Sequence, residues 1–329
     1  MDCTSLSTGH PFHTFHMDDS FFQRVYPQYN HRIPVISRAD GSVEFGDYQL
    51  SRAPSSKSVE WFMSLDGSRS AKQASIEWCE QIGVPQHVVT RLLIDGFESG
   101  ALVDSRTPPR TARWLNERNR DRTHTDVACA QKHLIDYTDK SPKQDAAEII
   151  DHRSSVQIEL VGQGPLAKAI HQLGRDSGYE FTHRRSCASV VVFVSRAHPR
   201  VFEHPNSHLC SLPHLHVGTR LDSAQIGPLV IPGESSCFRC AQLHHRDSSP
   251  DWMGVDLQWR HHANSGEADS ILNYQSAAYT LLLLRHWMDG MAITNTVWRA
   301  GLPWLHFRAQ PALPHPLCGC QLHTSDFAG

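Results

Sequence analysis

Residues 155–174, SVQIELVGQGPLAKAIHQLG, determine the fold class of this chain. An apolar segment with strand character runs into a glycine turn, and a stretch with helical spacing of apolar residues follows. Residues 188–195, ASVVVFVS, form a continuous β-branched run that is typical of a strand covered on both faces. Residues 229–233 predict another strand, and residues 273–288 predict a long apolar helix. This alternation predicts an α/β domain with a Rossmann-like sheet over residues 154–329.

The glycine turn of this domain has the spacing Gly162-x-Gly164-x-x-Ala167. Such a turn lets the backbone approach a pyrophosphate at a helix N-terminus. Pro165 removes one N–H group that would face a phosphate. An acidic residue that holds a ribose hydroxyl is expected about 20 positions further on. The candidates for it lie only within residues 175–185, which have little strand character. Two interpretations of this turn stay open: a nucleotide-binding site, or a turn that serves only packing. We favour packing, so Gly162 and Gly164 are weak cofactor-binding candidates.

Two close pairs of cysteines, Cys237-x-x-Cys240 and Cys318-x-Cys320, are the main chemical feature of the sequence. The first pair alone could be a redox dithiol, a disulfide, half of a metal site or two buried thiols. A redox pair would not require a second pair, and nine cysteines without a secretory signal indicate a reducing cytoplasm. Four thiols in two chelating pairs suit tetrahedral zinc, and Gly319 permits a tight turn between the last two.

We therefore expect a structural Zn²⁺ site formed by all four of these cysteines. Four histidines near the cysteines in the sequence are alternative ligands: His244, His245, His315 and His323.

The composition excludes several classes of function. With 40% hydrophobic residues, 20% charged residues and a formal net charge of −3, the chain lacks the bulk positive charge of many nucleic-acid binders. No secretory signal opens it. Its longest apolar run, residues 277–288, is well short of the ~20 residues that a membrane span needs. We expect a cytoplasmic protein that binds neither nucleic acid nor membrane.

The N-terminal part divides into three segments. Residues 1–30 lack periodicity and predict a poorly ordered or wrapping arm. Residues 31–104 predict two or three short strands around Asp-Gly and Gly-Asp turns, then three helices, in a winged-helix-like arrangement. Residues 105–153 are rich in arginine and contain a double proline, which is typical of a linker.

Two segments of the second domain resemble a known family. Residues 226–252, IGPLVIPGESSCFRCAQLHHRDSSPDW, followed by a long apolar helix and by HPLCGC at 315–320, are similar to the Ocin-ThiF-like partner proteins of YcaO cyclodehydratases. These proteins have the ThiF, or ubiquitin-activating, type of fold, and the resemblance covers most of residues 154–322. Residues 31–104 are similar in strand and helix order to a RiPP recognition element, the PqqD-like domain found in the biosynthesis of ribosomally made, modified peptides.

The resemblance implies an adaptor that is not catalytic by itself. It would bind the leader of a ribosomal precursor peptide and present it to a YcaO cyclodehydratase in trans. That enzyme uses ATP to form azolines, the precursors of azoles in thiazole/oxazole-modified peptides and thiopeptides, which are antibiotics. The family also implies the four cysteines as zinc ligands, a flavin-dependent azoline dehydrogenase as a possible further partner, and a homodimer that pairs through its sheets.

The resemblance also implies where the leader binds. It would add a strand beside the third strand of the recognition element and pack against its third helix, which is β-augmentation. The expected contacts are Tyr48, Gln49, Leu50, Ser51 and Arg52 of the strand, with His87, Val88, Arg91, Leu92 and Asp95 of the helix.

Two alternatives to the adaptor stay open. The first is a ThiF-like ATP-dependent adenylyltransferase that acts on a peptide. Adenylating relatives place arginine, lysine and aspartate around the phosphates, whereas residues 191–200, VVFVSRAHPR, offer no aspartate, so we expect a degenerate domain without ATP. The second is a zinc-containing transcription regulator. The third helix argues against it, because Arg91 is balanced there by Asp95 and Glu98.

Overall fold

The computed structural model of the chain divides into two compact units, Met1–Asp151 and His152–Gly329. The structure describes residues 19–31, 33–39, 42–45, 48–52, 56–106, 126, 146–195, 210–261, 268–303 and 306–320. Within these residues no helix is both long enough and apolar enough to cross a membrane.

The first unit contains a small antiparallel sheet followed by three helices, as the sequence predicts. Its elements are α1 (Asp19–Arg24), β1 (Pro27–Tyr29), β2 (Val35–Ser37), β3 (Ser42–Phe45), β4 (Tyr48–Arg52), α2 (Ser56–Met63), α3 (Ala71–Ile82), α4 (Gln86–Glu98) and β5 (Leu102–Asp104). β3 lies between β2 and β4, and β1 pairs separately with β5.

Local sequence signals fix the helix ends in this unit. The Ser70 hydroxyl caps α3 by accepting a hydrogen bond from the Gln73 N–H at 3.2 Å. Gly83 ends the helix with φ +73°, in the left-handed region that glycine adopts readily, and its N–H donates to the Cys79 carbonyl.

Residues 19–30, which the sequence predicts to be a poorly ordered or wrapping arm, form α1 and β1 and contribute to the core of the first unit. Phe22, Val25 and Tyr29 are each less than a tenth exposed and belong to the core around Phe62 and Phe97. Burial of a large apolar side chain contributes about 1.5–3 kcal/mol, so three of them can order a short segment that shows no periodicity. Residues 1–18 lie outside the described part of the chain.

The predicted linker, residues 105–153, lies mostly outside the described residues. Its last part is helical, since Ala146–Ser155 form helix α5.

The second unit is built on a seven-stranded mixed sheet, in the order β12-β11-β10-β9-β8-β6-β7. Its elements after α5 are β6 (Gln157–Val161), α6 (Pro165–Asp176), β7 (Glu180–Thr182), β8 (Val190–Ser195), β9 (His214–Arg220), β10 (Ser223–Val230), α7 (Phe238–Ser248), α8 (Trp252–His261), α9 (Ser270–Met288), β11 (Thr296–Gly301) and β12 (Arg308–Pro311).

The predicted parallel strands are present in one half of this sheet. β7, β6, β8 and β9 are parallel, whereas β9 to β12 form antiparallel pairs. β8 is buried along its first five residues, as its β-branched run predicts. α6 and α9 pack together, and their apolar residues form one core cluster with β6, β8, β9 and β10. The strand order reverses between β6 and β8, which places the glycine turn at a switch point of the sheet.

Candidate functional site

The four predicted zinc ligands lie together in the second unit. Cys237 is the N-cap residue of α7 and Cys240 lies in its first turn. Cys318 and Cys320 flank Gly319, whose φ of +70° allows the tight turn that the sequence predicts. The Cys318 N–H donates to the His315 carbonyl at 2.9 Å, which closes this turn.

The sulfur positions fit tetrahedral coordination. The Sγ atoms are 3.9 Å apart between Cys237 and Cys240, 3.4 Å between Cys237 and Cys318, and 3.4 Å between Cys240 and Cys320. All four lie within 4.8 Å of one another. Four sulfurs about 2.3 Å from one ion would be ~3.8 Å apart, whereas a disulfide needs about 2.05 Å. The described cysteines are unpaired thiols, and this group could hold a metal ion.

The surroundings of the thiols support a structural site. Cys237 is 8% exposed and Cys240 is 1% exposed, and both pack against Val230. A hydrogen bond from the Cys237 thiol lowers the pKa of Cys240, and burial raises the pKa of Cys320. A cluster of this kind holds negative charge most readily when a cation is bound to it.

The histidines near the cysteines are engaged in other contacts. His315 Nε2 donates to Asp247 Oδ2 at 2.8 Å, and its Nδ1 accepts from the Leu317 N–H at 3.1 Å. Both ring nitrogens of His315 are therefore used, which excludes it as a ligand in this arrangement. His244 Nε2 donates to a backbone carbonyl at 3.1 Å, and His245 packs against Trp252. His323 lies outside the described residues.

Asp247 is a site residue that sequence reasoning missed. The hydrogen bond from His315 lowers the pKa of the Asp247 carboxyl. This contact ties the last turn of α7 to the segment that carries Cys318, and it joins residues 68 positions apart. No local spacing could have identified it, because the pair forms only in the tertiary structure.

The glycine turn is shaped by packing against β8. Gly162 has φ +133°, and a Cβ atom there would lie 2.3 Å from the Val194 carbonyl oxygen. Gly164 has φ +110° and is the N-cap of α6, with Pro165 as the first helical residue. Close strand contact thus explains Gly162 without a ligand.

A cavity of about 990 Å³ opens beside this turn. The described residues that line it include the cationic or titratable side chains of Lys168, His171 and His183, and none of these described residues has a carboxylate side chain. Lys168 follows the glycine turn closely in the sequence, so the sequence alone could have indicated it as a residue of this cavity. Asn273 also lines the cavity, where its Oδ1 accepts from the Thr219 hydroxyl at 2.6 Å. The described lining can attract an anion, but it contains no carboxylate that could hold Mg²⁺.

The predicted peptide-binding strand, Tyr48–Arg52, is an outer strand of the described sheet. This strand, β4, pairs with β3 from Ser42↔Arg52 to Phe45↔Tyr48, and α4 packs beside it. An outer strand offers backbone N–H and C=O groups to an added strand.

Four of the five predicted helix residues are accessible on α4. His87 and Arg91 are exposed, and Val88 and Asp95 are partly buried. Arg91 Nε lies 2.7 Å from Asp95 Oδ1. The prediction is wrong for Leu92, which is 2% exposed and belongs to the core. One residue after Arg91 the helix has turned by about 100°, so Leu92 faces inward.

Comparison with known proteins identifies the fold. No family model and no curated protein match the chain. Among solved structures, the heterocyclase TruD matches at 13% identity with a TM-score of 0.57, over 90% of this chain and 42% of that one. The microcin C7 biosynthetic enzyme MccB in complex with N-formylated MccA matches at 12% identity with a TM-score of 0.56, over 90% of this chain and 99% of that one. E. coli MccB with AMPCPP and MccA matches at 11% identity with a TM-score of 0.56, over 90% of this chain and 99% of that one.

The chain therefore has the α/β fold that these two proteins share, and it spans less than half the length of TruD. At such low identity the likeness is one of fold.

Proposed function

We propose that this chain is an adaptor that binds the leader of a ribosomal precursor peptide. It would present the peptide to a separate YcaO cyclodehydratase for azoline and azole formation. The observation that carries the proposal is the outer strand β4 with α4 beside it, in a chain whose fold matches TruD and a peptide-bound MccB.

The geometry of this edge suits an extended peptide. A leader strand placed against β4 would pair through its backbone, which gives affinity, and its side chains would meet α4, which gives register and selectivity. His87 and the Arg91–Asp95 pair would supply polar contacts on that helix. Leu92 and its buried neighbours would hold the helix in position.

The four thiols would bind Zn²⁺ as a structural ion. Zn²⁺ is the usual ion for four cysteine ligands at these separations, and a filled shell leaves no open position for catalysis. The ion would clamp residues 315–320 to the start of α7. The second unit would thus be a scaffold, and the cyclisation chemistry would belong to the partner enzyme.

A second candidate function is adenylylation of a peptide. It is favoured by the match to MccB bound to AMPCPP and MccA, together with the glycine turn at the sheet's switch point. The lack of carboxylates among the described residues of the cavity weighs against it, since ATP chemistry needs Mg²⁺. ATP–pyrophosphate exchange with candidate peptides separates the two, because an adaptor gives no exchange.

Fluorescence polarisation with labelled leader peptides, from precursors encoded beside this gene, tests the adaptor directly. We expect binding that weakens about tenfold or more, equivalent to ~1.4 kcal/mol, in the double variant His87→Ala/Arg91→Ala. Arg69→Ala is the matched control, since Arg69 is exposed and lies before α3. Absence of binding to every neighbouring leader, or an equal loss in the control, would contradict the proposal.

A further inference from the structure

One side of the second unit places cationic side chains around an outer strand. β7 lies at one end of the described seven-stranded sheet and pairs with β6 on its inner side. α6 packs beside β7, and the ring centroids of His171 and Phe181 are 4.8 Å apart. The cavity beside the glycine turn extends between these two elements. We call this part of it the α6–β7 groove, lined by Lys168, His171, Gln172, Phe181, Thr182 and His183.

The positive charge of the groove is concentrated at one end. Lys168 lies in the first turn of α6, and Arg184 follows β7 by two residues. Both side chains are exposed, and neither forms an ion pair with another described residue. Further along α6, Arg175 lies 3.7 Å from Glu180, which balances its charge. Since the N-terminus of α6 is also the positive end of the helix dipole, the end of the groove at Lys168 would attract an acidic ligand.

We infer that the α6–β7 groove binds an acidic, extended segment of a partner protein. The segment would lie beside β7 and pair with its outer backbone edge, which is β-augmentation. Side chains at alternate positions of an extended segment point to the same face, at a spacing of about 7 Å. Carboxylates at such positions would all face the cationic end of the groove. The inference does not rest on leader binding, which is proposed for the first unit.

The form of the groove favours a peptide over a phosphate or a nucleotide. Pro165, the first residue of α6, removes an N–H group that a phosphate would accept at a helix N-terminus. The described lining has no carboxylate to hold the Mg²⁺ that accompanies a nucleotide. Gln163 is exposed in the lining, and its side-chain amide can both donate to and accept from a peptide backbone. The outer edge of β7 offers further backbone groups of the same kind.

Fluorescence anisotropy of the full chain with a labelled short peptide of alternating glutamate and threonine tests the inference. Threonine favours an extended chain, and the alternation places all carboxylates on one face. We expect a dissociation constant on the order of 10–100 µM at low salt, which rises with ionic strength. Lys168→Glu and Arg184→Glu should each weaken binding by about fivefold or more, whereas Lys168→Arg should preserve it. Circular dichroism verifies that each variant is folded.

Two control variants locate the binding. Arg308→Glu makes the same change of charge at an exposed position of β12, the strand at the opposite end of the described sheet, and should leave affinity unchanged. The variant His87→Ala/Arg91→Ala should also bind this probe as the wild type does, so the groove and the proposed leader site can fail separately. A wild-type chain that does not bind the probe, or an equal loss in Arg308→Glu, would overturn the inference. Displacement of the probe by inorganic phosphate, beyond the effect of chloride at equal ionic strength, would show a small-anion site instead.

Strand addition is tested with two N-methylated versions of the probe, one methylated at every glutamate and one at every threonine. Successive N–H groups of a strand point to opposite edges, so each version removes a different row of donors. Only one of these rows can face β7. We expect one version to bind at least about tenfold more weakly than the other. Equal binding of the two versions would contradict the pairing with β7.

Discussion

At the scale of single residues, Arg153 is the partner that stabilises a buried carboxylate. Asp289 is the C-cap of α9, where the helix dipole is negative, and its side chain is only 4% exposed. Arg153 donates to both carboxylate oxygens at 2.6 Å, from Nε and from one terminal nitrogen. The pair joins the end of α5 to the end of α9, within the second unit.

Arg153→Met should lower the free energy of unfolding by about 3–5 kcal/mol, because it leaves a buried charge uncompensated. The double variant Arg153→Met/Asp289→Leu should recover most of this loss, since no charge then remains buried. Thermal or denaturant unfolding followed by circular dichroism measures both. Arg38→Met, which removes an exposed ion pair with Glu44, should change stability by less than about 1 kcal/mol. Equal effects at the two arginines would contradict this account of the pair.

Some residues of the candidate site can be predicted from the sequence, and others cannot. The four cysteines are recognisable because each chelating pair is local in sequence and both pairs share one chemistry. Leu92 is misassigned because neighbouring residues on a helix face different directions, and only the tertiary structure decides which direction is buried. The contact of Asp247 with His315 depends on the fold in the same way.

At the scale of elements, the cysteine site joins α7 to the segment that ends at Cys320. Cys237 and Cys318 are 81 residues apart in sequence, so an ion bound by both would close a long loop. The contacts of His315 with Asp247 and of His244 with the Leu313 carbonyl connect the same two elements. The ion would therefore strengthen an association that these hydrogen bonds already define.

We expect purified protein to contain one zinc ion for each chain, and Cys318→Ser should reduce this content strongly. A strong chelator or this substitution should also lower the melting temperature of the second unit, because folding and metal binding are coupled. Metal analysis and calorimetry give the two readouts. Cys187→Ser is the control, since Cys187 is exposed and lies outside the cluster. An unchanged metal content in Cys318→Ser would show that these sulfurs do not bind the ion.

The elements of the parallel half of the sheet are predictable because their signals are local. The glycine turn and the β-branched run of β8 each act over a few residues. α1 and β1 are not predictable in this way. They are stabilised by burial of Phe22, Val25 and Tyr29 and by pairing of β1 with β5, which follows more than seventy residues later. The antiparallel pairing of β9 to β12 is likewise settled by tertiary contacts.

At the scale of the whole molecule, the two units would divide the work of one adaptor. The first unit would offer a strand edge and a helix to a peptide, and the second carries the cysteine cluster. The division between an N-terminal unit of strands and helices and an α/β unit follows from the change in periodicity along the sequence.

Hydrogen exchange measured by mass spectrometry, with and without a bound leader peptide, tests the central claim most directly. If the leader adds a strand to the first unit, the backbone amides of Tyr48–Arg52 that point away from β3 become hydrogen-bonded. We predict that leader binding slows exchange in β4 and along α4, while exchange in the second unit's cavity lining stays unchanged. Protection of the cavity lining with no change in β4 would contradict the account.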